Sequence, residues 1–174
     1  MAEPVFLPID YVDKDDHVID SGPIAEAWST GAIHRIAVIF VRRPSDKALL
    51  LQKRSIKMEV APGLWDFSAA GHVDSGESYE QASVRELYEE IGLKAVPQLL
   101  GKYFDEYTNS EGKKLNRFYA VFLHESEAFP PHFQADEVDG AAWFSRQELQ
   151  DLRIKVPDIF TRSLFMALAK FPHI

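Results

Sequence analysis

Two periodicities organise the hydrophobic and polar positions of this chain. Ile33–Val41 is an almost unbroken apolar run, the pattern of a strand covered on both faces. Shorter runs predict further strands at Ala48–Lys53, after a turn at Pro44–Lys47, and at Trp65–His72, between Gly63 and Gly76. Strands are also expected at Val96–Tyr103, Arg117–His124 and Ala141–Phe144. Near the start, Ile9–Val18 reads as two short strands around an Asp-rich turn, followed by a loop to about Thr30.

Between the third and fourth of the longer runs the period changes to that of a helix. Ser78 and Gln81 have the spacing of a capping box, in which each side chain bonds the other residue's backbone N–H, and Glu80 suits the positive end of the helix dipole. Val84, Leu87, Tyr88 and Ile91 then fall at i, i+3, i+4 and i+7, a stripe expected to face the core, and Gly92 is placed as a left-handed stop. Ser145 and Glu148 repeat the capping pattern before a short helix. Asp158–Lys170 reads as a last amphipathic helix with Phe160, Leu164, Phe165 and Leu168 on one side. Mixed strands with helices on both sides give an α/β class, an α/β/α sandwich.

Composition narrows the chemistry. The 174 residues, 46% hydrophobic and 26% charged, carry no repeat, low-complexity tract or linker, so one domain over 1–174 is expected, with 1–30 packing on the core. Met1–Leu7 lacks a signal-peptide pattern and no apolar run nears a membrane span, so a cytoplasmic location is expected. With no cysteine, thiolate nucleophiles and thiolate metal sites are excluded, leaving oxygen and imidazole ligands for any metal. A net charge of −8 argues against an extended nucleic-acid surface. Handling an anion would then call for a bridging cation.

Glu86, Glu89 and Glu90 stand at i, i+3 and i+4 in the predicted helix, close enough to repel one another. Spacing alone leaves two readings open: a solvated acidic face with Arg85 paired to Glu89, or a cluster that binds a divalent cation. The flanking residues weigh on that choice. Gly71, Glu77, Arg85-Glu86-Leu87, Glu89-Glu90 and Gly92-Leu93 resemble the Nudix box at every specified position over 23 residues. Seven exact matches arise by chance about once in 10⁸ starting points.

The resemblance implies a Nudix-type α/β/α sandwich and a loop–helix–loop that binds Mg²⁺ (or Mn²⁺) and hydrolyses a diphosphate linkage in a nucleoside diphosphate derivative. It implies that Glu86, Glu89, Glu90 and the carbonyl of Ala70 are metal ligands, that Glu89, Glu90 or Glu137 supplies the general base, and that Arg85 pairs with Glu77. It further implies a tight backbone turn at Gly71. The partner it implies is a small-molecule diphosphate.

Outside the box, His34-Arg35, Leu50–Ser55, Pro62–Trp65 and Phe160–Leu164 resemble the subgroup related to isopentenyl diphosphate isomerases. In those isomerases a cysteine precedes the Gly-His pair, and three histidines help to hold a metal. Here His34 and His72 match two of the imidazoles, but the cysteine position is Ala70 and the third histidine position is Ala27. Isomerase chemistry is therefore the lesser alternative, beside a non-catalytic nucleotide-binding module. For His34 and His72, hydrogen-bonding within the fold and a second metal site both stay open.

Lys53, Arg54 and Lys57 form a basic cluster suited to diphosphate oxygens, with ordinary solvated charge as the competing reading. Trp65, Tyr103, Tyr107 and Phe118 are candidates either for stacking on a nucleobase or for the core. Glu106–Lys114 reads as a hairpin with the form of a lid. Phe165 and Phe171 leave room for a homodimer surface.

Overall fold

The computed structural model describes residues 7–174. Its centre is β3 (Ile33–Arg42), whose two edges are used very differently. One edge pairs in parallel with β8 (Arg117–Glu125) over the whole length, His34 opposite Arg117 through Arg42 opposite Glu125. The other edge is shared by three antiparallel partners in succession. They are β1 (Ile9–Val12) at His34, β6 (Ala69–His72) at Ile36–Ile39, and β4 (Leu49–Arg54) at Val41–Arg42. β2 (Val18–Gly22) extends β1, and β7 (Gln98–Asp105) extends β8. β4 continues to β5 (Trp65–Asp66) and β9 (Val138–Phe144). The sheet is mixed, with a helix on each face, the α/β/α arrangement expected.

α2 (Tyr79–Ile91) covers one face. Both halves of its capping box form, and Gly92 ends it at φ 72°. Leu87, Ile91 and Ala82 are fully buried against Ala37, Ile39, Val41 and Phe122, each of the two large side chains contributing about 1.5–3 kcal/mol. α3 (Arg146–Lys155) has the second capping box, Ser145 with Glu148. α4 (Arg162–Lys170) covers the other face, burying Leu164 and Ala167 against Ile36, Val38 and Phe40.

Four expectations change. The expected loop before Thr30 contains α1 (Ile24–Thr30), seven residues with no side-chain cap, held by Ala27 buried against Ile9 and Tyr11 and stopped by Gly31. The strand expected at Trp65–His72 is two strands. Phe67 and Ser68 carry the chain from β4 to β3, and Ser68 Oγ donates to Leu50 O at 2.5 Å while accepting from Val41 N at 2.6 Å. The last helix does not run from Asp158. Phe160 is extended beside Trp65, and Thr161 restarts the helix by accepting from Leu164 N. The α2 stripe is also rotated from its expected position. Val84 is only half-buried and Tyr88 is 44% exposed, while Glu86 and Glu90 share the inward face with Leu87 and Ile91.

Phe171 packs against Tyr103, and Phe165 packs on Phe160, so both lie against their own chain. No described helix is long and apolar enough to cross a membrane.

Candidate active site

The site is built around two buried carboxylates. Glu90 is 2% exposed, and its Oε2 accepts from the Ala70 amide at 2.8 Å and from Gln52 Nε2 at 3.1 Å. Glu86, 8% exposed, lies against the backbone of Gly71. Burial pushes Glu86 up to about 7 in spite of Arg85 beside it. Burial, reinforced by the charge of Glu86, holds Glu90 well above the ordinary carboxylate range. Glu137 is raised as well, by burial first, with its Oε1 held by Gln134 Nε2 at 2.9 Å.

Arg85 ties the loop to the helix. Its Nε and Nη2 donate to the two oxygens of Glu77 at 3.0 and 2.8 Å, and Nη2 also donates to His72 O at 3.0 Å. Nη1 donates to Glu86 at 2.6 Å and to the half-exposed Glu89 at 3.3 Å. Glu77 in turn accepts from the Asp74 amide at 3.1 Å.

Gly71 has a steric role rather than the turn-forming one expected. It sits within β6, outside the left-handed region, and a methyl group there would overlap the Glu86 carboxylate. Gly71→Ala is therefore expected to cut turnover more than tenfold by displacing Glu86, while costing only about 1–3 kcal/mol of stability, the range for overpacking. Steady-state kinetics alongside thermal melts check this. A variant with parental turnover would show that the Glu86 position is not needed.

The donor set suits a hard divalent cation. Glu86 and Glu90 are buried carboxylates whose charge is disfavoured, and Glu137 is raised with them. The Ala70 amide points at Glu90 instead of at β3, and its carbonyl shares that side of the strand. Gln52 Oε1 is buried without a hydrogen-bond partner. Oxygen ligands of this kind match Mg²⁺ or Mn²⁺. Asp13, Asp15 and His17 also cluster, but on an exposed turn where Asp13 Oδ1 accepts from the Asp15 and His17 amides, which accounts for their closeness.

The expected substrate contacts disperse. Lys53 is exposed and lies on the opposite side of β4 from Gln52, while Lys57 pairs with Asp136 at 2.8 Å on the surface. Arg54 is turned inward, bonding Asp66 at 3.2 Å and Val60 O at 2.9 Å. Trp65 packs edge-on against Phe144, Tyr103 is buried and stacked on Tyr119, and Phe118 leans on Phe104. Tyr107, exposed, lies under Arg162. The Asn109 turn joins Thr108 to Lys114, and Lys113 reaches Glu59 at 2.5 Å over the Trp28 ring. Gln52 was not singled out by the sequence. The one signal for it was a polar residue continuing the apolar run Leu49-Leu50-Leu51.

A NUDIX domain model matches residues 32–162. An uncharacterized Nudix hydrolase of Pseudomonas aeruginosa is 37% identical over 142 residues, covering 81% of this chain and 79% of that protein. The isopentenyl-diphosphate Delta-isomerase 2 of Photorhabdus laumondii is 31% identical over 150 residues, covering 86% and 84%. A crystal structure from Deinococcus radiodurans superposes with a TM-score of 0.73 at 23% identity, over 94% of this chain and 98% of that one, a likeness of fold.

Proposed function

This chain belongs to the Nudix family and is a Nudix hydrolase, and from that premise we propose that it hydrolyses the diphosphate linkage of a nucleoside diphosphate derivative with the help of Mg²⁺ or Mn²⁺. The observation that carries the reading is the burial of Glu86 and Glu90 in one oxygen-lined recess, with Glu137 close enough to raise their affinity for protons. Glu86, Glu89, Glu90 and the Ala70 carbonyl would hold the ion. When bound, such an ion neutralises phosphate charge, acidifies a water and stabilises the leaving oxygen.

The chain's own groups do the rest. Arg85 fixes Glu86 and Glu89 and, through Glu77 and His72 O, the loop that precedes them. Gln52 and the Ala70 amide orient Glu90. Glu137, whose carboxyl is raised by burial and so made a stronger base, would take the proton of the attacking water. Among the proposed substrate contacts, Lys53 is exposed and Lys57 would meet diphosphate oxygens by exchanging its surface pair with Asp136, while Arg54 would act from within and Trp65 as a wall. Ala70 stands where the isomerases' cysteine is expected, and an alanine methyl has no proton to exchange.

A panel of nucleoside diphosphates, nucleotide sugars, dinucleoside polyphosphates, coenzyme A and prenyl diphosphates, assayed with and without Mg²⁺ or Mn²⁺, tests the proposal. Metal-dependent release of a nucleoside monophosphate is the expected result. Exchange of solvent deuterium into a prenyl diphosphate without hydrolysis would instead establish isomerase chemistry.

A further inference from the structure

Arg117, on β8, is half-buried, and among the described residues it meets no carboxylate. Its Nε donates to His34 Nε2 at 3.2 Å and its Nη1 to the Tyr119 hydroxyl at 3.3 Å. His34 Nδ1 lies 3.2 Å from Ala32 O, so it carries the proton and leaves the Nε2 lone pair to Arg117. Both ring nitrogens of His34 are thereby spent, and the His34–His72 pair is not left open for a metal.

His34 brings no charge of its own: burial first, then Arg117, holds it down to about 3. Across the strand pair, Asp105 stands opposite Arg117, but its carboxylate is taken by both nitrogens of Arg162, at 2.5 and 3.2 Å. Arg54 is likewise matched to Asp66. Both of those guanidiniums thus have a carboxylate of their own, and Arg117 has none.

Besides Gln52 Oε1, three buried polar atoms make no hydrogen bond among the described residues: Trp28 Nε1 and His72 Nε2 on the β6 side of Arg117, and the Tyr103 hydroxyl on its β7 side. Such orphans are uncommon in folded proteins and call for an explanation. They belong to one continuous row. Trp28 lies 6.5 Å from His72 and His72 lies 5.4 Å from His34, ring to ring, while Tyr103 stacks on Tyr119 at 5.0 Å. The row adjoins the catalytic loop, because His72 follows Gly71 and its carbonyl accepts from Arg85.

We propose that Arg117, Trp28 and His72 form a phosphate-recognition site that takes a phosphoryl group carried by the substrate beyond the scissile diphosphate. A phosphate accepts hydrogen bonds from several directions at once, as donors on two different elements and a guanidinium require, and its charge answers the guanidinium that has no carboxylate. A prenyl tail would satisfy none of these groups. Over the Trp28 ring lies Lys113, paired with the exposed Glu59, a contact of the kind that opens readily in water. The assignment rests on the reading of α2 as the catalytic centre.

Inorganic phosphate, titrated into the whole metal-free chain in EDTA and followed by thermal melts and tryptophan fluorescence, tests the site without turnover. The parent should gain several degrees and change its emission. Arg117→Gln, which keeps an N–H for His34, should lose the gain, Arg117→Lys should retain part of it, and Trp28→Phe should weaken it and remove the emission change. With Mg²⁺, the parent should favour coenzyme A over dephospho-coenzyme A by KM about tenfold or more, and the Arg117→Gln ratio should fall toward one. Equal phosphate gains in parent and Arg117→Gln, or none in either, overturn the site. An Arg117-dependent gain in a chain inactive across the whole panel would remove the catalytic reading and leave the phosphate site standing.

Discussion

Glu90→Gln is expected to lower metal-dependent turnover by roughly two to three powers of ten and, at the same time, to raise the melting temperature of the metal-free protein above neutral pH. The first effect follows from removing one charged ligand where several kcal/mol of charge stabilisation is needed, each power of ten being about 1.4 kcal/mol. The second follows from burial. Glutamine keeps an oxygen for the Ala70 amide and Gln52 Nε2, but it carries no charge into a recess where Glu90 and Glu86 already oppose each other.

The pH dependence has a definite sign. Glu86 is raised in the folded state to about 7 from 4.5, so its contribution to stability is present below about pH 4.5 and is lost as pH rises through 7. Glu90 is shifted in the same direction. The neutral His34 and His72 act oppositely, contributing stability above about 6.5 that is lost in acid. The informative quantity is therefore the variant minus the parent, measured by melts in EDTA. That difference should favour Glu90→Gln increasingly from pH 5 to 8, by on the order of a few kcal/mol, and Mg²⁺ should reverse it. A flat difference, or parental turnover, would remove Glu90 from the proposed site.

Arg85→Met should have the largest effect on folding. The guanidinium serves Glu77, Glu86, Glu89 and the His72 carbonyl together, with the Glu77 and Glu86 side chains only 16% and 10% exposed. Leaving buried carboxylates unmatched costs about 3–5 kcal/mol, which for a chain of this size corresponds to roughly 6–15 °C in melting temperature. Because Glu86 takes up a proton near pH 7, the deficit should shrink between pH 8 and pH 6. Arg85→Lys, a single point charge without the fork, should recover only part of it. A deficit under 1 kcal/mol at pH 8 would mean that the loop is held by its other bonds.

Much of the fold could be read in advance because the controlling interactions are local. The Ser78–Gln81 and Ser145–Glu148 boxes close within four residues, and Gly92 adopts its left-handed stop where the helical pattern ends. Ile33–Arg42 is a central strand because its apolar run has no polar face to give to water. α1 escaped notice for the complementary reason. With Pro23 at its start and no side-chain cap, its few residues are helical only because Ala27 is buried by a strand distant in sequence.

For α2, then, the sequence by itself determined where the helix begins and ends and which nine box residues accompany it, since those are matters of spacing and backbone conformation. Only the tertiary structure decided which way the helix faces. Periodicity set Glu86 and Glu90 opposite the apolar stripe, but β6 approaches so closely at Gly71, and Gln52 and the Ala70 amide offer such well-placed donors, that the two carboxylates turn inward beside Leu87 and Ile91. Likewise the sequence supplied His34 and His72. Pairing of β3 with β8, which sets Arg117 on the open nitrogen of His34, decided that His34 answers to an arginine. A hydrogen-bond partner some 80 residues away leaves no mark on the local pattern, and its effect on a buried charge outweighs that pattern once the chain has folded.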